Sequence, residues 1–326
     1  MALHDRATEP SADAQPGPVL GGRRDGALLI IVFTALLVLP PVGHHLVVKS
    51  DEARFALLAR DMVERGAWFS AAVEGQQYRN KPPLFPWIIA ALSKLQGGTV
   101  TEATAQLPAA VAAIAAAWCM FLLGDRLFGR RAGVWSALIL ATSAGFFIHS
   151  QLILPDMMVL AFATACYYAF WRAMNEPGNT RALVGFYAAL AFAVFAKGPV
   201  GLLPLLVVLI WVVAQYGLGG LARLWSLAGI VVFAAVTLVW LAPFLASGSQ
   251  SFGESVVWED WLAWYLAWPA PRRMLAFLGD ALVGFLPWTL LLVLAVGPAM
   301  RARRDPAVAL ALLALAVPLQ IGRAHV

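Results

Sequence analysis

The sequence predicts an all-α polytopic membrane protein. Three observations predict it: 61% of the 326 residues are hydrophobic, only 13% are charged, and the apolar residues fall in long continuous runs rather than alternating ones. A soluble domain carries about a quarter charged residues and has too little interior to hide this much apolar surface. In lipid, a continuously apolar run satisfies its own backbone as a helix. The net charge of +5 is spread thinly between the runs. No basic face exists for nucleic acid.

Along the chain, residues 1–25 are polar and rich in Pro, Ala and Gly, which predicts a disordered cytoplasmic tail. A spanning helix needs roughly 20 mostly apolar residues. Nine runs approach that: 26–47, 106–123, 132–149, 157–173, 182–196, 199–216, 226–246, 281–300 and 306–320. The first follows Arg23 and Arg24, as in a signal peptide, but its length and the lack of a small-residue cleavage site predict a retained helix. Leu84–Leu95 is left out of the count. It is opened by Pro82 and Pro83, interrupted by Pro86 and carries Lys94, so an interfacial or re-entrant helix fits it better.

Charge asymmetry supports this arrangement. With the N-terminus in the cytoplasm, the inner segments carry Arg6, Arg23, Arg24, Arg126, Arg130, Arg131, Arg172, Arg181, Arg223, Arg301, Arg303 and Arg304. The short outer loops around 150–156 and 197–198 carry only Lys197. That is the positive-inside pattern, and it is lost if 84–95 is made to span. Two longer outer segments result, 49–105 and 247–280, and 26–320 is expected to act as one transmembrane catalytic unit.

The same topology gathers Asp51, Glu52, Lys81, Asp156, Lys197 and the 247–280 loop at the outer face. Ionisable groups at the edge of apolar helices are expensive unless paired or wetted. Acids and lysines together there suit a site for an anionic group. Lysines can neutralise a phosphate, and a carboxylate can take a proton from an attacking hydroxyl. The segment from Ser50 reads as an amphipathic surface helix, capped by Ser50, with Asp51 and Glu52 in its first turn and Phe55, Leu58 and Met62 at helical spacing up to Gly66. Each feature also has a plainer reading. Asp51 and Glu52 can simply begin a helix, Lys81 can snorkel, and Lys197 can neutralise Asp156 as a structural pair. Trp258, Trp261, Trp264 and Trp268 suit an interfacial belt.

Four short motifs carry a family resemblance: Asp-Glu-Ala-Arg at 51–54, Lys-Pro-Pro-Leu at 81–84, Pro-Asp-Met at 155–157 and Lys-Gly-Pro-Val-Gly-Leu at 197–202. In this order and spacing they resemble the polyprenyl-phosphate-sugar glycosyltransferases of the GT-C fold. The nearest branches are the bacterial aminoarabinose transferases and the wider dolichyl-phosphate-mannose–protein mannosyltransferase group. The resemblance covers roughly residues 45–205. It implies a multi-pass protein of the bacterial inner membrane with its active site facing the periplasm. The implied donor is a sugar on undecaprenyl phosphate and the acceptor a lipid, such as a lipid A-like glycolipid, or a protein. By the resemblance, Asp51 is the catalytic carboxylate with Asp156 second. Glu52 and Arg54 support the first-loop helix and the acceptor side, and Lys81 and Lys197 hold the donor phosphate. Aminoarabinose transferases place a metal-binding Glu before Lys-Pro-Pro. Here that residue is Asn80, a poor zinc ligand, so no metal or other cofactor is expected.

Cys119 and Cys166 lie in apolar runs without a CxxC spacing and read as structural. Ile-Gly-Arg-Ala-His-Val at 321–326 breaks the last apolar pattern and resembles a translated sequencing adapter. It is expected to be an artefact on a longer natural protein and is excluded from the site. Two other classes compete with a transferase: a transporter or lipid-linked-sugar flippase, and a membrane scaffold. A transporter would be expected to carry its acids at the membrane midplane within inverted repeats, and neither is visible.

Overall fold

The computed structural model describes residues 22–44, 50–73, 75–78, 81–176, 178–246 and 271–321. It is helical throughout, apart from a two-residue antiparallel ladder of Ala72–Val73 with Gln76–Gln77. The helices are α1 (Arg23–Val38), α2 (Ser50–Arg65), α3 (Leu84–Leu95), α4 (Glu102–Phe128), α5 (Arg130–Ala141), α6 (Ala144–Gln151), α7 (Asp156–Asn175) and α8 (Thr180–Lys197). They continue as α9 (Leu203–Tyr216), α10 (Leu227–Ala246), α11 (Pro271–Gly284), α12 (Thr289–Arg301) and α13 (Pro306–Ile321).

The protein is an all-helical membrane protein. Four described helical stretches are long and apolar enough to cross a membrane, or up to six if two bent pairs each make one span. The nine spans expected from hydropathy are therefore not all reached. The run at 132–149 is two helices, α5 and α6, bent by 59°, and the run at 281–300 is broken with a 110° bend. α1 has 16 residues and α13 has 16, short of the roughly 20 that cross unaided. The 37-residue stretch Thr180–Tyr216 passes as one unit by composition, yet it folds back on itself. Phe170 of α7 touches Phe186 of α8, with ring centroids 6.2 Å apart, and Trp211 of α9 at 5.2 Å. In one straight helix those two partners would lie about 37 Å apart at 1.5 Å per residue. The reversal sits at Gly198, whose φ of +70° suits glycine.

α4 is the central post. Thr101 and Thr104 form a reciprocal capping box, with Thr104 N–H donating to Thr101 Oγ1 at 3.2 Å and Thr101 N–H to Thr104 Oγ1 at 2.9 Å. Its Ala105, Ala109, Ala113, Ala116 and Ala117 are buried, and such small side chains let α1 and α7 pack closely. Ion pairs then set direction. Arg126 at the end of α4 meets Glu176 at the end of α7, 2.9 Å. Hydrogen bonds from Arg172 and Asn179 hold Glu176 down to about 2. Arg23 at the start of α1 meets Asp125, 2.9 Å. That end of the bundle carries the arginines assigned to the cytoplasm. The opposite end carries Asp156 at the start of α7 and Lys197 at the end of α8.

α2 is the expected amphipathic helix. Phe55, Leu58 and Met62 are buried, and Gly66 follows its last turn with φ +70°. Asp61 ties it to the small ladder by accepting from Ala72 N–H at 2.9 Å and pairing with Arg65. Burial alone would raise Asp61; the Arg65 hydrogen bond and charge and the Ala72 N–H hold its carboxyl below the usual range. α3 is a 12-residue helix, as expected for a segment that does not cross. Cys119 and Cys166 are unbridged. The tail residues 1–21, the tryptophans of 258–268 and residues 322–326 lie outside the described residues.

The hairpin at Gly198 generates a prediction. A Cβ on Gly201 would sit 2.2 Å from the Ala193 carbonyl carbon of α8, whereas one on Gly185 would meet Ala169 Cβ at an ordinary 3.7 Å. Gly201→Ala is expected to destabilise the protein by about 1–3 kcal/mol or more, as overpacking against backbone does. Gly185→Ala is expected to be neutral or mildly stabilising. Thermal unfolding in detergent checks both.

Candidate active site

Four elements meet at the end of the bundle opposite Arg126 and Glu176. The start of α2 brings Asp51, Glu52 and Arg54, the turn before α3 brings Lys81, the start of α7 brings Asp156, and the end of α8 brings Lys197. Each position has a local cause. Asp51 and Asp156 stand in first helical turns, where the helix dipole favours negative charge. Lys197 stands in the last turn of α8, where it favours positive charge. Lys81 is fixed by Pro82 and Pro83, which end the loop and open α3.

The charges form two linked pairs. Lys197 Nζ donates to Asp156 Oδ1 at 2.6 Å. Lys81 Nζ lies 3.7 Å from Asp51 Oδ2, and Arg54 pairs with the other oxygen of the same carboxylate. Lys81 lies within electrostatic reach of Asp156 and Lys197 as well as Asp51 and Arg54, so the pairs share one field. Aromatic faces hold the cations: Lys81 Nζ is 5.3 Å from the Phe55 ring centre, and the Arg54 guanidinium is 5.8 Å from that of Tyr78. Burial pulls Lys81 below its ordinary value, only partly offset by Asp51. The Asp51 side chain is 46% exposed against 29% for Asp156. Both carboxylates are ion-paired, and Asp51 is the more exposed of the two.

Of the residues expected from sequence, Asp51, Arg54, Lys81, Asp156 and Lys197 are brought together. Glu52 faces elsewhere. Its side chain is buried, and Oε2 accepts from Ile153 N–H at 3.2 Å in the link between α6 and α7. That geometry makes it a strut between α2 and the approach to Asp156. The plain structural reading of Lys197 as partner of Asp156 is realised. Asn80 lies outside the described residues, and the metal expectation with it.

Three residues near the site escaped sequence reasoning. His149 is an electrostatic neighbour of Asp156, and its Nδ1 lies 2.8 Å from the Gly145 carbonyl. Gln106 and Gln151 form a buried amide network. Gln106 Oε1 accepts from Gly43 N–H at 2.6 Å, and its Nε2 donates to the Gln151 carbonyl at 2.9 Å. Gln151 Nε2 donates to the Val38 carbonyl at 3.2 Å and to Ser150 Oγ at 3.0 Å. Among the described residues, Gln151 Oε1 has no partner. A buried orphan acceptor costs about 1–3 kcal/mol. Polar residues at the edge of otherwise apolar runs were the available signal.

A groove of about 600 Å³ opens from this site. Asp156 and Lys197 line one end, and Val159, Leu160, Leu203 and Leu310 are among the apolar side chains along its length. A polar mouth on an apolar groove suits an amphiphile with a charged head.

If Asp156 and Lys197 stabilise one another, their losses are not additive. Asp156→Asn and Lys197→Met are each expected to lower stability, and the double variant to lose less than the sum of the two, with a coupling of about 0.5–3 kcal/mol. A double-mutant cycle on unfolding midpoints measures it.

Known proteins are similar to this chain in sequence and fold. The protein carries 28% identity over 81% of its length to an undecaprenyl phosphate-alpha-4-amino-4-deoxy-L-arabinose arabinosyl transferase of Shewanella sediminis, and covers 49% of that relative. The chain therefore spans about half the length of the curated relatives it matches. Its fold matches the crystal structure of ArnT from Cupriavidus metallidurans bound to undecaprenyl phosphate, with TM-score 0.81 at 21% identity, covering 93% of this chain and 56% of that one. It matches a protein O-mannosyltransferase complex of S. cerevisiae bound to the sugar donor less closely, with TM-score 0.51 at 20% identity over 74% of this chain and 34% of that one. A family model described as dolichyl-phosphate-mannose-protein mannosyltransferase matches residues 80–245, just over half of the sequence. The chain belongs to the dolichyl-phosphate-mannose-protein mannosyltransferase family, with a GT-C fold.

Proposed function

We propose that the protein is a membrane glycosyltransferase. It moves a sugar from a polyprenyl-phosphate donor to a lipid or protein acceptor at the periplasmic face of the bacterial inner membrane. The observation that carries this reading is the pairing of two lysines with two carboxylates, one of the pairs at the mouth of an apolar groove. The names of the similar transferases, and the undecaprenyl phosphate bound in the similar crystal structure, support the same donor class.

The chemistry follows from charge. The sugar–oxygen bond to phosphate breaks, and the electron pair leaves on the polyprenyl phosphate. A phosphate leaving group needs cations more than an acid, and Lys81 and Lys197 supply them. The attacking hydroxyl or amine of the acceptor loses its proton to Asp51, the more exposed carboxylate. Asp156 holds Lys197 in place. The polyprenyl tail lies in the groove that begins at Asp156 and Lys197. A transporter would be expected to carry its acids near the midplane. Here Asp156 is the first residue of α7 and Lys197 the last of α8.

Two measurements test this on the full reading frame in liposomes, by mass spectrometry of released polyprenyl phosphate. Asp51→Asn is expected to lower acceptor-dependent release about 10²- to 10⁴-fold, the usual loss for a general base. Unchanged release would remove Asp51 from the chemistry. The second is a pH profile. Burial lowers Lys81 below 10.5, so Lys81 loses its proton, and the donor its partner, as pH rises through that lowered value. Donor affinity is expected to fall on an alkaline limb that begins below 10.5. Lys81→Arg, which stays charged, should move that limb to higher pH.

A further inference from the structure

We infer that Gln106 and Gln151 are positioning residues that set the separation of Asp51 and Asp156. The kinetic half of this inference rests on the transferase reading; the geometric half stands without it.

The two carboxylates stand on helices with no direct contact between their own side chains to fix them. Asp156 follows the link 152–155, which leaves α6 without helical hydrogen bonds to define its path. Two groups outside the link hold its start. Glu52, next to Asp51 in sequence, takes Ile153 N–H, and Gln106 takes the carbonyl of Gln151. Gln106 reaches the other way to Gly43 N–H, on the chain leading from α1 toward α2 and Asp51. Gln151 adds a bond to Val38, the last residue of α1. The amide of Gln106 thus joins the chain before Asp51 to the chain before Asp156. Its orientation is unambiguous, because Gly43 N–H can only donate and the Gln151 carbonyl can only accept.

Stability alone does not account for the pair. Gln151 Oε1 is buried without a partner among the described residues. An apolar side chain of similar length would remove that orphan, together with the donor to Val38 and Ser150. An unpartnered acceptor beside the candidate chemistry fits a residue that serves geometry, as where proteins give up stability at sites.

The test uses Gln106→Leu and Gln151→Met in the full reading frame. Turnover and donor KM are measured in liposomes. Spin labels on Leu57→Cys of α2 and Ile148→Cys of α6, both exposed positions, report the separation of the two elements, with Cys119→Ala and Cys166→Ala as background. The expected result is kcat lowered about 10- to 100-fold with donor KM within about threefold, because misplacement by an ångström has that scale. The label distance distribution should widen in the same variants. Gln151→Met removes the orphan acceptor but also the donor to Val38 and Ser150; the two effects oppose, so its unfolding midpoint is expected to stay near the parent's, which keeps at least one variant readable. A kcat loss with unchanged distances, or changed distances with unchanged kcat, overturns the inference. If the parent transfers no sugar from any donor, the transferase reading fails, and an unchanged distance distribution in both variants then overturns the geometric half by itself.

Discussion

The governing constraint is that every break in a helix must find partners for the backbone groups it frees. Lipid offers none. Two of the described breaks meet this constraint with long-range bonds. Where α5 gives way to α6, Ala144 N–H donates to the Leu286 carbonyl at 2.8 Å. The indole of Trp288 returns a bond to Thr142 Oγ1 at 2.9 Å. The break between α11 and α12 thus serves the break between α5 and α6, with Gly145 and Gly284 in backbone contact between them. Where α6 gives way to α7, the partners are Glu52 and Gln106.

That second break is where fold becomes site. Side chains that satisfy it must come from α2 and α4, so the start of α2 is drawn against the start of α7. Asp51 and Asp156 follow, each in the first turn of its helix. Lys197 arrives because the α8 to α9 reversal needs Gly198 and Gly201, which end α8 beside Asp156. The groove below is a further consequence. α7, α9 and α13 meet imperfectly there, and Trp211 fixes only one end by donating to the Pro306 carbonyl at 2.8 Å.

Much of this was legible in the residues. The stripe of Phe55, Leu58 and Met62 gave α2 its inner face, and three prolines with Lys94 marked α3 as too short to cross. Sidedness alone gathered Asp51, Lys81, Asp156 and Lys197. The broken helices were not legible. Hydropathy averages over Thr142 and Ser143, and over Leu286 and Pro287, so each pair of short helices read as one run. The role of Glu52 was hidden for a related reason. An acid next to Asp51 looks like part of the same charge cluster until its partner, a main-chain N–H one hundred and one residues away, is seen. Main-chain partners leave no mark in sequence.

Charge balance gives the last step. Among the described residues, Asp51 and Asp156 stand against Arg54, Lys81 and Lys197, with Glu52 turned to Ile153 N–H, so the formal sum at the site is +1 before any ligand arrives. A single positive surplus at a membrane edge suits an anionic ligand that cancels it. On the proposed reading, the donor phosphodiester enters with one negative charge and leaves as a phosphate monoester with a second. The proton released by the acceptor neutralises Asp51 in the same step. The total within the site is then unchanged by the reaction, and the charge only moves from carboxylate to phosphate across the lysines. A low-dielectric boundary penalises net charge far more than its displacement over a few ångströms. Two carboxylates are therefore needed for different reasons: Asp51 to take up the charge change, and Asp156 to keep Lys197 from following it.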